Sequence, residues 1–344
     1  MRYRYLGKSG LRVSEICLGT MTFTPKGMFT DYGGTSLSES KKIVDFAIDM
    51  GINLFDTADS YSDGASEETL GKILRNKRND VLICTKIRFN NGSGKISAVG
   101  LSRQSIIEGC NNSLKRLGTD YIDIYLLHAF DQTVPLEETL QTMDDLVKQG
   151  KVRYIGCSNF AAWEIMKTLC ISEKLGLEKL TTYQAYYSLA SREVELEILP
   201  LCEEQGLGIT CWSPLSGGFF TGKYRRGRTM PESGRRIDIE NVTNIFAPVE
   251  NEKGFDIIEV LDTIAQKHNA TIPQVALAYL LTRQAVSSVV VGAKKISHLE
   301  DNIGAPDLSL EKKDTEIIDN VSKPSYPYPH WFKKKIWEKD GLKV

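Results

Sequence analysis

Three apolar runs of this sequence end, one after another, in a reactive side chain. Asn53-Leu-Phe-Asp56 ends in a carboxylate, Val81-Leu-Ile-Cys-Thr-Lys86 in an ammonium and Tyr121-Ile-Asp-Ile-Tyr-Leu-Leu-His128 in an imidazole, and Tyr61 follows Asp56 by five residues. A charged or polar group at the end of a buried strand costs free energy unless it is paired or used. Each residue alone has an ordinary explanation, a solvated strand end or a structural histidine, but together at one rim they are hard to explain as packing. An ammonium beside a phenol favours the phenolate and lowers a pKa that starts near ~10. Tyr61 is therefore expected to act as a general acid, with Asp56 holding Lys86 against it and His128 orienting the substrate oxygen. Such a site protonates an oxygen that gains negative charge, as a carbonyl oxygen does when hydride reaches its carbon. No side chain donates hydride, so a cofactor must supply it. No metal-ligand spacing and no nucleophile–base pair competes, and no metal is expected.

The elements that must position these groups alternate along the chain. Apolar runs at Glu15–Leu18, Asn53–Asp56, Val81–Lys86, Tyr121–His128, Val152–Ser158, Thr182–Ala185, Gly208–Ser213 and Val286–Val291 read as strands. Between them lie stretches with apolar residues at helical spacing. Ile43, Phe46, Ala47 and Met50 share one face, with Ser36 and Glu39 at capping-box spacing before them and Gly51 to end the helix. Ile106, Cys110, Leu114 and Leu117 line another face, stopped by Gly118. Further helices are expected over Pro135–Gln149, Ala161–Leu175, Glu193–Glu204, Phe255–His268 and Pro273–Leu281. Alternating βα units imply a parallel sheet, and eight of them imply an α/β fold closed as a (β/α)8 TIM barrel. An open doubly wound sheet would want G-x-G-x-x-G after its first strand, and Leu18-Gly-Thr-Met-Thr-Phe23 lacks it. Two long polar segments, Arg88–Leu101 and Gly217–Gly254, follow strands and are expected as loops on the C-terminal face.

The remaining composition narrows the class. Basic and acidic residues number 43 and 44, for a formal net charge of -1, so no nucleic-acid partner is expected. The seven cysteines show no C-x-x-C pair and several sit in apolar runs, as expected of a reduced, cytoplasmic chain. Neither a signal peptide nor a membrane span is visible, and no membrane partner is expected. The 344 residues suit a single barrel domain, with about 322–344 as a tail packed on it. Within that tail Lys333-Lys334-Lys335 is flanked by Trp331, Phe332 and Trp337, expected as partly buried aromatics with solvated lysines.

Several motifs resemble the aldo-keto reductase superfamily over nearly the whole chain. They are Leu6-Gly-Lys-Ser-Gly-Leu-Arg-Val-Ser14 with Leu18-Gly-Thr-Met21, Asn53-Leu-Phe-Asp-Thr-Ala-Asp-Ser-Tyr61, Asp123-Ile-Tyr-Leu-Leu-His128 and Gly150-Lys-Val-Arg-Tyr-Ile-Gly-Cys-Ser-Asn-Phe160. The resemblance implies an N-terminal β-hairpin, a tetrad of Asp56, Tyr61, Lys86 and His128, and NADPH (NADP+) as cofactor. It implies that Ser158, Asn159 and Gln184 bind the nicotinamide carboxamide and that Trp212 stacks on the ring. Ser213, Pro214, Leu215 and Gly217 would follow the pyrophosphate, and Gly19, Thr20, Met21, Asp56 and Lys223 would complete that part of the cofactor site. Val291-Gly-Ala-Lys-Lys-Ile-Ser-His-Leu-Glu-Asp-Asn302 resembles the last strand and the helix that receives the 2′-phosphate, which brings in Gly292, Lys294, His298, Asp301 and Asn302. His298 stands where the family commonly has arginine or glutamine, and Lys294 where it often has serine. Lys294 would meet a phosphate as a point charge rather than a fork.

Trp212-Ser-Pro-Leu-Ser-Gly-Gly-Phe-Phe-Thr-Gly-Lys-Tyr224 resembles the bacterial and potassium-channel β-subunit branches, and Ser325-Tyr-Pro-Tyr-Pro-His-Trp-Phe332 resembles bacterial members for aryl aldehydes. The implied activity is NADPH-dependent reduction of a small-molecule aldehyde or ketone. A sugar or polyol substrate is the alternative, with Arg88, Asn90 and Asn91 reaching in. An NADPH sensor like the channel subunits is a third, disfavoured because the sequence opens directly at the hairpin. Phe23, Met28, Tyr32 and Phe89 are the candidates to line the substrate pocket.

Overall fold

The alternation of β-branched runs and amphipathic stretches folds as expected into a closed barrel. The structure, a computed structural model, describes residues 1–26, 34–92, 94–227, 249 and 251–340. A short antiparallel hairpin of β1 (Tyr3–Tyr5) and β2 (Arg12–Ser14) comes first. The barrel strands are β3 (Ile16–Gly19), β4 (Leu54–Asp56), β5 (Leu82–Ile87), β6 (Ile122–Leu127), β7 (Val152–Ser158), β8 (Thr182–Tyr186), β9 (Gly208–Trp212) and β10 (Val286–Gly292). They pair in parallel in chain order, and β10 closes on both β9 and β3. Around them lie α1 (Leu37–Asp49), α2 (Ala65–Leu74), α3 (Arg103–Leu117), α4 (Leu136–Lys148), α5 (Ala162–Leu175), α6 (Ile198–Gln205), α7 (Asn251–His268), α8 (Ile272–Leu281) and α9 (Ile296–Ile303). The helices α10 (Lys312–Val321) and α11 (His330–Lys339) follow the last strand. None of the described helices is long and apolar enough to cross a membrane.

Strand alternation divides the apolar residues between two cores. Outward-facing residues such as Ile16, Leu18, Phe55, Ile83, Tyr125, Ile155, Ile209 and Val289 are buried beneath the helices. Inward-facing Cys17, Leu54, Cys84, Ile124, Leu126 and Val290 form a separate cluster that also includes Leu6 and Val13 of the hairpin. The hairpin thus stoppers the barrel at the end where its strands begin. Leu6 and Val13 have no exposed surface, and each such burial contributes roughly 1.5–3 kcal/mol. Gly7 at the turn has φ 59°, and a Cβ there would lie 2.3 Å from the Gly206 carbonyl oxygen.

The structure departs from expectation where backbone chemistry overrides the apolar pattern. In place of one helix over Glu193–Glu204 there is a 3-10 turn at Glu193–Glu195 and then α6 from Ile198. Pro200 has no N–H to donate and fits only in a first turn, which sets that start. Pro135 caps α4 instead of opening it. Ile272 precedes Pro273 in α8 because Thr271 and Gln274 form a capping box. Helix α2 was not expected. It follows a left-handed turn at Ser62, Asp63 and Gly64 (φ 52°, 54° and 86°) and packs so closely on α3 that a Cβ on Gly71 would sit 2.4 Å from the Leu117 carbonyl oxygen. The C-terminal aromatics are also corrected: Trp331, Phe332 and Trp337 are exposed rather than partly buried, although His330 Nε2 lies 3.4 Å from Glu197 Oε1.

We expect Gly7→Ala to lower stability by about 2–4 kcal/mol through strain and collision with the turn before β9. A fall in the urea midpoint at constant m-value would show this, and an unchanged midpoint would contradict the close approach.

Candidate active site

Inward alternation continues past the apolar layer and places Asp56 above Leu54, Lys86 above Cys84 and His128 just beyond Leu126. Asp56 pairs with Cys84 across β4 and β5, and Lys86 pairs with Leu126 across β5 and β6. The side chain of Lys86 is fully buried, with Nζ 2.6 Å from Asp56 Oδ1. Nζ also donates to the Thr57 carbonyl at 2.7 Å and to Tyr61 Oη at 3.4 Å. The second carboxylate oxygen of Asp56 accepts from Gln184 Nε2 at 2.7 Å. Burial penalises the ammonium, but Asp56 first and Tyr61 next outweigh it, so Lys86 titrates above an ordinary lysine and stays charged.

Tyr61 opens the short turn that precedes α2, with its N–H bonded to the Ala58 carbonyl at 3.1 Å. The expected fall in its pKa is not the net result. Burial raises it, the Lys86 charge opposes that and Asp56 adds to it, leaving Tyr61 above an ordinary phenol. His128 lies edge-on to Tyr61 with ring centroids 6.0 Å apart. Burial, then the charges of Lys86 and Arg88, hold its imidazole well below the usual value, so the ring is neutral.

The neighbouring strand ends hold the residues expected to meet a cofactor. Ser158 Oγ donates to the Gln184 carbonyl at 2.9 Å. Asn159, at φ 56°, donates to the His128 carbonyl at 2.9 Å and to Ser158 Oγ at 3.0 Å. Gln184, expected to reach the carboxamide, gives one of its two amide N–H donors to Asp56 in this structure. The Trp212 ring lies 4.6 Å from that of Tyr186. Beyond Trp212 the chain runs through left-handed Ser213, Ser216, Gly217 and Gly218 (φ 52°, 49°, 64° and 95°). Gly217 N donates to Ser213 Oγ at 3.0 Å, and Gly218 N to the Leu215 carbonyl at 3.0 Å, with Pro214 between.

Lys223 Nζ would be 3.7 Å from a Cβ on Gly218, whereas Gly292 faces open space. Lys294, Lys295 and His298 lie exposed around the start of α9. Desolvation, then the charges of Lys295, Lys223 and Lys294, lower the His298 pKa against the opposing Asp301. Asp301 Oδ1 accepts from Thr271 Oγ1 at 2.8 Å, and Asn302 is buried. Thr20 Oγ1 donates to the Asp56 carbonyl at 3.0 Å, Gly19 lies against Val290, and Met21 is half-buried.

Other expectations change. Phe23 is fully buried in the outer core and cannot line a pocket, Phe89 is exposed at the rim, and Met28 and Tyr32 lie outside the described residues. The pattern of residue types did not reveal the Thr57 carbonyl, a backbone atom, or Asp59. Asp59 is fully buried, and burial, then the Glu67 charge, push its carboxyl well above the usual range. Away from this rim, His268, Glu311 and Asp314 bring possible ligand atoms within 4.8 Å of one another. Lys267 bridges both carboxylates there at 2.9 Å, and His268 bonds Asp314 at 2.7 Å, so the cluster is an ion-paired tie between α7 and α10.

A (β/α)8 barrel with its reactive groups gathered where the strands end has the architecture of a barrel enzyme. The chain matches the aldo/keto reductase family model over residues 15–323 and belongs to that family. It is 34% identical over 331 residues to the "Uncharacterized oxidoreductase YrpG" of Bacillus subtilis, covering 93% of this chain and 96% of that one. It is 36% identical over 337 residues to a "Probable voltage-gated potassium channel subunit beta" of Arabidopsis thaliana, covering 95% and 99%. A protein of Oryza sativa with the same description is 35% identical over 326 residues, covering 93% and 95%. The family and the oxidoreductase relative support carbonyl reduction in general.

We expect Lys86→Met alone to cost about 3–5 kcal/mol, because it leaves Asp56 buried without its cation. The double variant Lys86→Met/Asp56→Leu should recover most of that loss in chemical denaturation, and additive losses would contradict the pairing.

Proposed function

We propose that this chain reduces aldehydes and ketones to alcohols with NADPH as hydride donor and Tyr61 as the proton donor. One observation carries the reading: Tyr61 Oη lies 3.4 Å from an ammonium that a carboxylate pins at 2.6 Å, beside a neutral imidazole. Lys86 favours the phenolate that forms when Tyr61 gives up its proton. His128, neutral, hydrogen-bonds the carbonyl oxygen without competing for that proton. Asp56 holds Lys86 in reach of Tyr61.

The residues along β7 to β10 fit a dinucleotide. The left-handed turn at Ser213–Gly218 is closed by its own hydrogen bonds, from Ser216 N, Gly217 N and Gly218 N, and would form a compact rim beside which a pyrophosphate lies. Three lysines act on one imidazole at α9, a donor set suited to a dianionic 2′-phosphate and the reason to favour NADPH over NADH. Ser158, Asn159 and Gln184 would hold the nicotinamide amide, the last through its second N–H or its oxygen while it keeps its bond to Asp56, and Trp212 would flank the ring. Ser213, Pro214, Leu215, Gly217 and Lys223 would hold the pyrophosphate, with Gly19, Thr20 and Met21 on the opposite side, and Gly292, Lys294, His298, Asp301 and Asn302 the adenosine end. When bound, the cofactor supplies the hydride to the carbonyl carbon.

In this reading the chain is a single barrel domain with 322–344 as its tail. Its seven free thiols, of which only Cys170 is exposed, suit the cytoplasm. The channel-subunit descriptions of two relatives favour one other reading, a cofactor-binding subunit for a partner. Tight NADPH binding with no turnover across aryl, aliphatic and sugar carbonyls would move the assignment there.

Tyr61→Phe is expected to lower kcat/KM by about 10²–10⁴ while NADPH binding persists, and retained turnover would remove Tyr61 from the role. The pH dependence follows from the two shifts. Tyr61 donates only when protonated, and its pKa is raised; His128 accepts no proton in this range, because its pKa is lowered. Reduction should therefore hold level from about pH 6 to about pH 9, and a break near ~6.5 would contradict a neutral His128. Lys294→Ala should raise the NADPH dissociation constant about 10-fold and leave NADH within twofold, measured by fluorescence titration.

A further inference from the structure

Arg88 stands two residues beyond Lys86, immediately after β5, and makes no hydrogen bond to the proton-transfer cluster. Its Nε donates to the Phe130 carbonyl at 3.0 Å, and its guanidinium carbon lies 5.3 Å from the centre of the Phe89 ring. Phe89 in turn lies 4.7 Å from His128, centre to centre. The side chain is half-buried, and its charge is strong enough at His128 to help lower the imidazole pKa. The backbone is held too: the Arg88 carbonyl accepts from Gly100 N at 2.9 Å, and its φ of 153° is a conformation that L-residues rarely adopt. Such backbone states persist where surrounding structure over-determines them, often at functional sites.

A partly desolvated guanidinium ordinarily pairs directly with a carboxylate, whereas Arg88 acts on Asp131 only through its charge, after the hydrogen bonds from Thr133 and Leu101. Among the described residues no carboxylate lies within ion-pairing distance of Arg88. The nearby Asp131 is engaged elsewhere: Oδ2 accepts from Leu101 N at 2.9 Å, and Oδ1 accepts from Thr133 N at 3.0 Å and Thr133 Oγ1 at 2.6 Å. A carbonyl backbone atom fixes the stem of the fork while its two terminal nitrogens keep their donors. Phe89 supplies an apolar wall between that fork and His128. This is the arrangement that would read a planar oxyanion at the far end of an apolar spacer, since guanidinium and carboxylate match in a two-bond geometry that an ammonium cannot reproduce.

We infer that Arg88 selects carbonyl substrates that carry a carboxylate beyond an apolar spacer. The inference rests on the proposed reductase reading, because it takes the His128 side of the barrel mouth as the substrate site. It narrows the substrate class from carbonyls in general to aldehydo or keto acids, and sets them apart from sugars, which offer no charge for the fork to meet.

The test compares 4-carboxybenzaldehyde with its neutral methyl ester, methyl 4-formylbenzoate, using the whole protein and NADPH. The expected result is a higher kcat/KM for the acid, compressed by added salt, with a ratio that falls about 10- to 100-fold in Arg88→Met. Most of that change should appear in KM, and Arg88→Lys should restore only part of it. A preference for the ester in the unaltered protein would overturn the inference, as would equal losses on both substrates in Arg88→Met. Turnover of neither aldehyde would instead count against the reductase reading. Binding would then decide the role of Arg88: quenching of tryptophan fluorescence by 4-carboxybenzaldehyde should weaken in Arg88→Met, and equal affinities would overturn it.

Discussion

A lysine ammonium sealed from water beside a carboxylate is the constraint around which this barrel is arranged. Desolvating both charges costs several kcal/mol each, and their attraction repays that only if geometry is tight and the remaining hydrogen-bonding capacity is satisfied. Both conditions are met. Asp56 gives one oxygen to Lys86 and the other to Gln184, while Lys86 also reaches the Thr57 carbonyl and Tyr61. The pair itself joins adjacent strands β4 and β5, but the Gln184 bond that satisfies the second Asp56 oxygen comes from β8 and needs the barrel assembled. It sits on the apolar layer of Leu54, Cys84, Ile124 and Leu126, which denies it water from below.

Stability and proposed chemistry are separated along the barrel axis. At one end the hairpin residues Leu6 and Val13 complete an interior core that has no polar role. At the other, backbone and side chains carry features that cost stability: a buried ion pair, a neutral buried histidine, a raised buried carboxyl at Asp59, and left-handed turns around Tyr61, Asn159 and Ser213. Strain and buried polarity concentrated at one rim, above a well-packed opposite end, are the pattern expected of a site that the rest of the fold supports.

Much of this was legible in the sequence because strand periodicity is two. A run that alternates inward and outward and then ends in Asp, Lys or His places that group at the barrel mouth, so the strand order and the gathering of Asp56, Lys86 and His128 at one rim could be read before any coordinates. Other features depend on backbone conformation or on net electrostatics, which residue types do not display. Pro200 moved the start of α6, and the left-handed Ser62–Gly64 turn opened α2 with no cap signal. Phe23, placed in a loop by pattern, packs into the outer core. The direction of the Tyr61 shift was misread because sequence shows the neighbouring charge but not the depth of burial that outweighs it. The bond from Gln184 to Asp56 could not be read from residue types, because it links residues 128 positions apart. Arg88 was visible as a rim cation, but that no carboxylate among the described residues pairs with it directly required the fold.

In the proposed function the Asp56–Lys86 pair organises proton donation rather than merely holding the barrel together. The most direct test of this role is a single turnover of NADPH already bound to Asp56→Asn, mixed rapidly with a reducible aldehyde and followed by loss of cofactor absorbance. The account expects NADPH affinity within a few-fold of the unaltered protein and a hydride-transfer rate lowered by about 10² or more. An unchanged single-turnover rate in a folded, cofactor-loaded Asp56→Asn protein would contradict it.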